Sequence, residues 1–96
     1  MKRTPKSALR GVLATRLRRR RAELGWSQER LAFESGLNRT YVSAVERSEQ
    51  NMSVDNVARV AAALGVGAWQ LLLPLEWDGP VVEPGWAPVE HTRRGE

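Results

Sequence analysis

Apolar residues recur at helical spacing along most of the chain, in short segments that end at glycines. The first segment begins at about Leu9 and ends at Gly25, a residue suited to the left-handed turn that follows many helices. Three leucines share one face of this segment: Leu13, Leu17 and Leu24. A later segment, for which Ser53 is the predicted N-cap, repeats the pattern before Gly65, with Val54, Val57, Val60, Ala61 and Leu64 at intervals of three and four. The spacing predicts an all-α fold.

Two shorter helical patterns lie between these segments. Ser27 and Asn38 are good N-caps for helices over about 28–35 and about 39–47, and Gly36 lies at the junction between them. Two helices joined at a steep angle by a short turn with a glycine form a helix-turn-helix motif. In that motif, the N-terminal end of the second helix enters the DNA major groove. The pattern therefore predicts a DNA-recognition helix.

Composition divides the chain into three parts. Residues 1–8 are polar and basic, and predict a flexible arm. Residues 9–73 hold the helical segments and predict one DNA-binding domain, whose last helical run continues to Pro74. Residues 74–96 contain four of the five prolines and lack a helical period, so they predict a non-helical tail with two tryptophans.

Charge is distributed unevenly. Residues 1–21 contain nine Lys or Arg and no acid, whereas residues 27–47 hold three acids and three arginines. A dense basic block is typical of binding to nucleic acid or to an anionic surface. We therefore expect base contacts from the neutral segment and most of the phosphate affinity from the flanking arginines. The arm, with Lys2, Arg3 and Lys6, either wraps the duplex or serves only solubility.

Polar residues at the start of the second short helix are candidates for base contacts: Asn38, Arg39, Thr40, Tyr41 and Ser43. The guanidinium group of Arg39 matches the O6 and N7 atoms of guanine. Thr40 offers a hydroxyl and a methyl group to other base edges. These side chains thus carry the hydrogen-bonding groups that recognition of base edges requires.

Three stretches resemble the lambda-repressor-like (Cro/CI, or XRE) family of DNA-binding domains: LRRRRAELGWSQERLA, SGLNRTYVSAVER and SVDNVARVAAALGV. The resemblance covers residues 12–73 and implies a five-helix domain. It implies base contacts by Arg39, Thr40 and Ser43. It implies contacts to the DNA backbone, or bracing of the recognition helix, by Gln28, Asn38, Tyr41 and Arg47.

The resemblance also implies an ion pair between Arg21 and Glu46 that ties the first helix to the third. Three features depart from the family pattern. The loop 48–52 lacks the usual glycine and proline, and Arg20 stands where an apolar residue is frequent. Glu49 lies near positions that face phosphate, where a carboxylate is unfavourable.

Several classes of function are not expected from this sequence. The absence of cysteine excludes disulfides and thiolate metal sites and suits a cytoplasmic protein. No apolar run approaches the roughly 20 residues that span a bilayer. His91 has no patterned nucleophile or metal ligand near it, and the glycines do not form a phosphate loop. We expect no enzyme activity, no cofactor, no metal and no small-molecule effector.

One recognition helix contacts too few base pairs to specify a site, so we expect a homodimer on an inverted repeat of double-stranded DNA. The most apolar surface for pairing is the region of Trp69, Leu72 and Leu73. The expected function is a transcriptional regulator, either a restriction–modification controller or a phage-type repressor. The alternative is a protein-interaction module, an antitoxin or adaptor, that works through its tail.

Overall fold

A computed structural model describes residues 7–76 of the chain, and these residues contain helices and no strands. The α-helices are α1 (Leu9–Glu23), α2 (Gln28–Ser35), α3 (Arg39–Glu46) and α4 (Val54–Leu64). A short 3-10 helix, Ala68–Leu72, follows them. The predicted all-α class is confirmed. Residues 1–6 of the basic arm and residues 77–96 of the proline-rich tail lie outside the described residues.

The three helices after α1 begin where their capping residues predict. The side chain of Ser27 accepts a hydrogen bond from the Arg30 amide at 3.0 Å, and that of Ser53 accepts one from Asn56 at 3.1 Å. The Asn38 oxygen accepts from the Thr40 amide at 2.7 Å. Each cap satisfies a backbone N–H that has no partner inside the helix, and so fixes the first residue of that helix.

All four α-helices end in the same Schellman motif, in which a left-handed residue reverses the chain. Glycine provides that residue in three of them: Gly25, Gly36 and Gly65. After α3 the left-handed residue is Ser48, with a φ of 62°. The Ser48 amide bonds to the Val45 carbonyl at 3.0 Å. The loop 48–52, which lacks glycine, therefore begins with a serine in the left-handed conformation that glycine adopts after the other helices.

The core lies between α1, the helix-turn-helix pair and α4. Its buried members are Leu13, Leu17, Leu31, Ala32, Val42, Val45, Met52, Val57, Val60, Ala61, Leu64 and Leu71. Two apolar residues assigned to helix faces are exposed instead. Leu24 follows the last turn of α1, and Val54 is the first residue of α4, so both lie at the edge of the domain. Met52, in the loop 48–52, is buried.

The arginines of α1 bind the carboxyl ends of other helices. Arg18 donates to the Glu46 carbonyl at the end of α3, and the Arg20 Nε donates to the Leu64 carbonyl at the end of α4 at 2.9 Å. The Arg16 Nε donates to the Leu73 carbonyl at 3.0 Å. A cation at a helix C-terminus is favourable because the unpaired carbonyls carry partial negative charge. At the position where the family often has an apolar residue, Arg20 thus makes a hydrogen bond to the backbone of α4.

The last helical run is shorter and tighter than predicted. It ends at Leu72 rather than Leu73, and the Gln70 amide bonds to the Gly67 carbonyl three residues back, at 3.0 Å. Leu73 is extended, with ψ at 141°. Proline disfavours α geometry in the residue before it, so Pro74 explains why the helix stops there. No helix among the described residues is long and apolar enough to cross a membrane.

The left-handed serine yields a stability prediction. Replacing Ser48 by glycine should raise the free energy of unfolding by about 0.5–1 kcal/mol, because glycine adopts positive φ without steric cost. The reciprocal change, Gly25→Ala, should lower it by about 1 kcal/mol through φ alone, since nothing lies within 4 Å of the added Cβ. Urea denaturation measures both, and a loss of stability in the Ser48→Gly variant would contradict the assignment of strain.

Candidate nucleic-acid interface

Helix α3 has one exposed polar face and one buried face. Val42, Val45 and Glu46 are buried, whereas Arg39 and Thr40 are exposed at its N-terminal end. At the other end of the exposed face lie Ser43, partly buried, and Arg47, exposed; they follow Arg39 at intervals of four residues. That spacing aligns the three side chains along one side of the helix. Three of the predicted DNA-contacting side chains, Arg39, Ser43 and Arg47, therefore share one side of α3.

The first turn of α3 combines a fixed backbone with free side chains. The Asn38 side-chain oxygen holds the Thr40 and Tyr41 amides at 2.7 and 3.3 Å, so only its Nδ2 group remains to bind another molecule. Within residues 7–76, no hydrogen bond or ion pair engages the side chain of Arg39 or Thr40. All five guanidinium N–H donors of Arg39 are thus available at the end of a capped helix.

Arg47, at the other end of the exposed face, is held by two neighbours. Its Nε and Nη2 atoms donate to Glu49 Oε1 at 3.1 and 3.0 Å. Its Nη1 atom donates to the Ser43 hydroxyl. The carboxylate that the sequence places near phosphate-facing positions is therefore paired with an arginine of the candidate interface.

Tyr41 connects α3 to α4 and to the intervening loop. Its hydroxyl donates to the Asn51 carbonyl at 3.3 Å and accepts from Asn56 Nδ2 at 3.2 Å. Its ring packs against the core. These contacts support the loop 48–52 from the side of α3. Of the two kinds of role implied for Tyr41, the geometry provides the bracing, and its contact with the DNA backbone remains a prediction.

The Glu46 carboxylate, 2% exposed, is the contact point of three helices. Arg21 of α1 binds it through Nε and Nη2 at 2.8 and 2.9 Å, and Gln28 of α2 donates to it at 2.9 Å. The hydrogen bond to Glu46 raises the pKa of Arg21 despite its partial burial, so this guanidinium keeps its charge. The remaining nitrogen of Arg21 donates to the Trp26 carbonyl at 2.9 Å. The implied pair exists, and Gln28 joins it.

The charges of the neutral segment, residues 27–47, are divided between its two helices. The Glu46 charge is buried against α1, and Glu34 pairs with Arg30 on α2 at 2.8 Å. The side chains of Arg39 and Arg47 are left on the exposed face of α3. Glu29 is also exposed on α2, so the exposed carboxylates of residues 27–47 lie on α2. The exposed guanidinium groups of Arg39 and Arg47 lie along α3, where Arg47 pairs with Glu49.

Residues 17–68 match the family model described as helix-turn-helix. The chain belongs to this family. Its resemblance to the lambda-repressor-like (XRE) type is confirmed, because the matched region contains both short helices and the glycine turn between them.

This helix-turn-helix chain is similar to a hypothetical transcription factor of Neisseria meningitidis, with 59% identity over 66 residues, which are 69% of this chain and 62% of the relative. It thus spans less than two thirds of that relative. The solved restriction-modification controller protein C.AhdI of Aeromonas hydrophila shares 43% identity and a TM-score of 0.65 over 68% of this chain and 98% of that one.

A second similar solved structure is the restriction-modification controller protein C.Esp1396I, as a tetramer in complex with its natural 35 base-pair operator. It shares 30% identity and a TM-score of 0.64, over 69% of this chain and 91% of that one.

Some predicted residues lie outside the described part of the helix-turn-helix chain: Lys2, Arg3 and Lys6 of the arm, and Trp77, Trp86 and His91 of the tail. Within residues 7–76, no cluster of three or more His, Asp or Glu side chains could hold a metal ion. The sequence interpretation missed the pairing of Arg47 with Glu49 and the support of Tyr41 by Asn56. Neither pair has helical spacing, so no pattern indicates them.

The buried carboxylate gives a prediction. Replacing Arg21 by methionine should lower the free energy of unfolding by about 3–5 kcal/mol, because Glu46 would stay buried without its cation. Arg19→Met on the same helix is the control and should change it by less than about 0.5 kcal/mol, since Arg19 is exposed. Urea denaturation measures both. Equal effects of the two substitutions would show that the ion pair does not secure α3.

Proposed function

We propose that the protein is a sequence-specific DNA-binding transcriptional regulator of the controller type. The observation that carries the proposal is the exposed, capped N-terminal end of α3, with the unpaired guanidinium of Arg39. The geometry suits insertion into the major groove, which admits one α-helix. Its relatives, which include a hypothetical transcription factor and restriction-modification controller proteins, support the same function.

The exposed side chains take different roles in this proposal. Arg39 donates to the O6 and N7 of a guanine, and Thr40 and Ser43 contact neighbouring base edges. Gln28, Asn38, Tyr41 and Arg47 contact phosphates or brace the helix. Phosphate contacts fix the register of the protein on the duplex, and base contacts discriminate its sequence. The arm residues Lys2, Arg3 and Lys6 add phosphate affinity in this proposal.

The protein acts as a homodimer on an inverted repeat, with two recognition helices about 34 Å apart. The pairing surface is the region of Trp69, Leu72 and Leu73. Leu71 points into the core at 2% exposed, while its neighbour Leu72 is 39% exposed. Leu72 also borders an apolar groove of about 220 Å³ that Leu9 and Val54 help to line. An exposed apolar surface of this kind is typical of a protein interface.

Base recognition by Arg39 can be tested with duplexes selected from a random pool. Arg39→Ala should weaken binding to the selected duplex by about 1–3 kcal/mol and relax preference at one position. Arg39→Lys keeps the charge and lacks the bidentate geometry, so it should relax the same position. Retention of the full preference by the lysine variant would assign Arg39 to phosphate. Binding unaffected by either variant would favour a module that works through a protein partner.

Dimerisation can be tested by Leu72→Glu. Because Leu72 is exposed, the variant should keep its helical content and sediment as a monomer at concentrations where the wild type is a dimer. Phe33→Glu is the matched control, since Phe33 is an exposed apolar residue of α2 at 81%. Analytical ultracentrifugation measures both. A Leu72→Glu variant that remains dimeric would place the interface elsewhere.

A further inference from the structure

We propose that Glu49 is a positioning residue that orients the Arg47 guanidinium for a phosphate of the operator. This inference rests on the proposed function and assigns a new role within it. The family pattern treats a carboxylate at this position as unfavourable, because it would face the DNA backbone. The contacts of Glu49 point to the opposite effect on specific binding.

The guanidinium of Arg47 is held on one edge and open on another. Glu49 Oε1 accepts from Nε and Nη2, the two nitrogens of the side edge, and the Ser43 hydroxyl accepts from Nη1. A guanidinium has five N–H donors, so two remain, one on each terminal nitrogen. Two N–H groups of this kind match two phosphate oxygens bidentately. The Arg47 side chain is 53% exposed, so solvent reaches it.

The position of Glu49 is set by the backbone. The Ser48 turn brings the Glu49 amide to the Ala44 carbonyl at 2.9 Å, within the Schellman motif that ends α3. In the corresponding motifs of α1, α2 and α4, the residue after the left-handed turn is apolar and packs against the core: Trp26, Leu37 and Val66. Only α3 among these helices has a charged residue there. A position that serves packing in three helices serves an ion pair in the fourth.

The far end of the same loop is also anchored. Met52 is buried, and the Asn51 carbonyl accepts the Tyr41 hydroxyl at 3.3 Å. The loop backbone is thus fixed on both sides of Glu49, and the carboxylate can direct the arginine. A long arginine side chain loses rotamer entropy when it is ordered, and that loss weakens binding if it occurs only on the DNA. Glu49 supplies much of that ordering before DNA arrives.

This role predicts that removing the Glu49 charge weakens binding to the operator, whereas simple charge repulsion predicts that it strengthens binding. Replacing Glu49 by glutamine removes a negative charge, so affinity for a random duplex should rise, by at most about threefold at 50 mM salt. Affinity for the selected operator should fall, because Arg47 becomes mobile. The ratio of operator affinity to random-duplex affinity should therefore fall about fivefold, the factor expected when about half of the arginine's ordering is lost.

The experiment compares four full-length proteins by fluorescence anisotropy on operator and random duplexes across a salt series: wild type, Glu49→Gln, Arg47→Ala and the double variant. In the Arg47→Ala background, Glu49→Gln should leave the ratio unchanged. Glu23→Gln is the matched charge control, because Glu23 is an exposed carboxylate paired with Arg20 at 3.1 Å. It should leave the affinity ratio unchanged.

Two results would overturn the inference and leave the proposed function intact. One is a ratio that is unchanged or raised in Glu49→Gln, which would mean that the carboxylate only repels phosphate. The other is the same fall in the ratio when Arg47 is already alanine, which would mean that Glu49 acts through another group. If the wild type selects no duplex from a random pool, the proposed function fails, and this inference fails with it.

Discussion

The position of α3 depends on one buried carboxylate. Glu46 is held by Arg21 from α1 and by Gln28 from α2, so three helices meet at one side chain. A buried charge is stable only when its hydrogen-bonding capacity is filled, and few arrangements of the helices fill it. The pair therefore selects one orientation of α3 relative to α1 and α2. The exposed face of α3 presents its polar side chains because the opposite face is fixed in this way.

Much of the fold follows from the sequence, because capping and apolar spacing are local. Ser27, Asn38 and Ser53 cap the helices that their positions predict. The exposed end of α3 is likewise predictable from its polar residues. Features that depend on contacts between distant segments are not predictable in this way. Met52 is a lone apolar residue in a polar loop, and only the fold shows that it is buried. The pairing of Glu49 depends on the left-handed conformation of Ser48, and a serine in the sequence does not predict that conformation.

The basic block at the start of the chain illustrates the same limit. Counted as charge, its arginines indicate a phosphate-binding surface. In the structure, Arg16, Arg18 and Arg20 donate to backbone carbonyls, and Arg21 binds Glu46. Their charges still contribute to the field around the domain, but their hydrogen bonds are used inside it. Arg10 and Arg19 make no side-chain hydrogen bond within residues 7–76, so the phosphate contacts expected of α1 fall to these two.

The use of α1 arginines as ties has a consequence for how the domain unfolds. A single helix closes the carboxyl ends of α3, of α4 and of the segment around Leu73. Detachment of α1 would expose all three ends to solvent together, along with Glu46. We therefore expect opening of this helix to be coupled to loss of the whole structure, so that hydrogen exchange in α3 and α4 would report global rather than local unfolding. On this view the recognition surface is lost together with the fold.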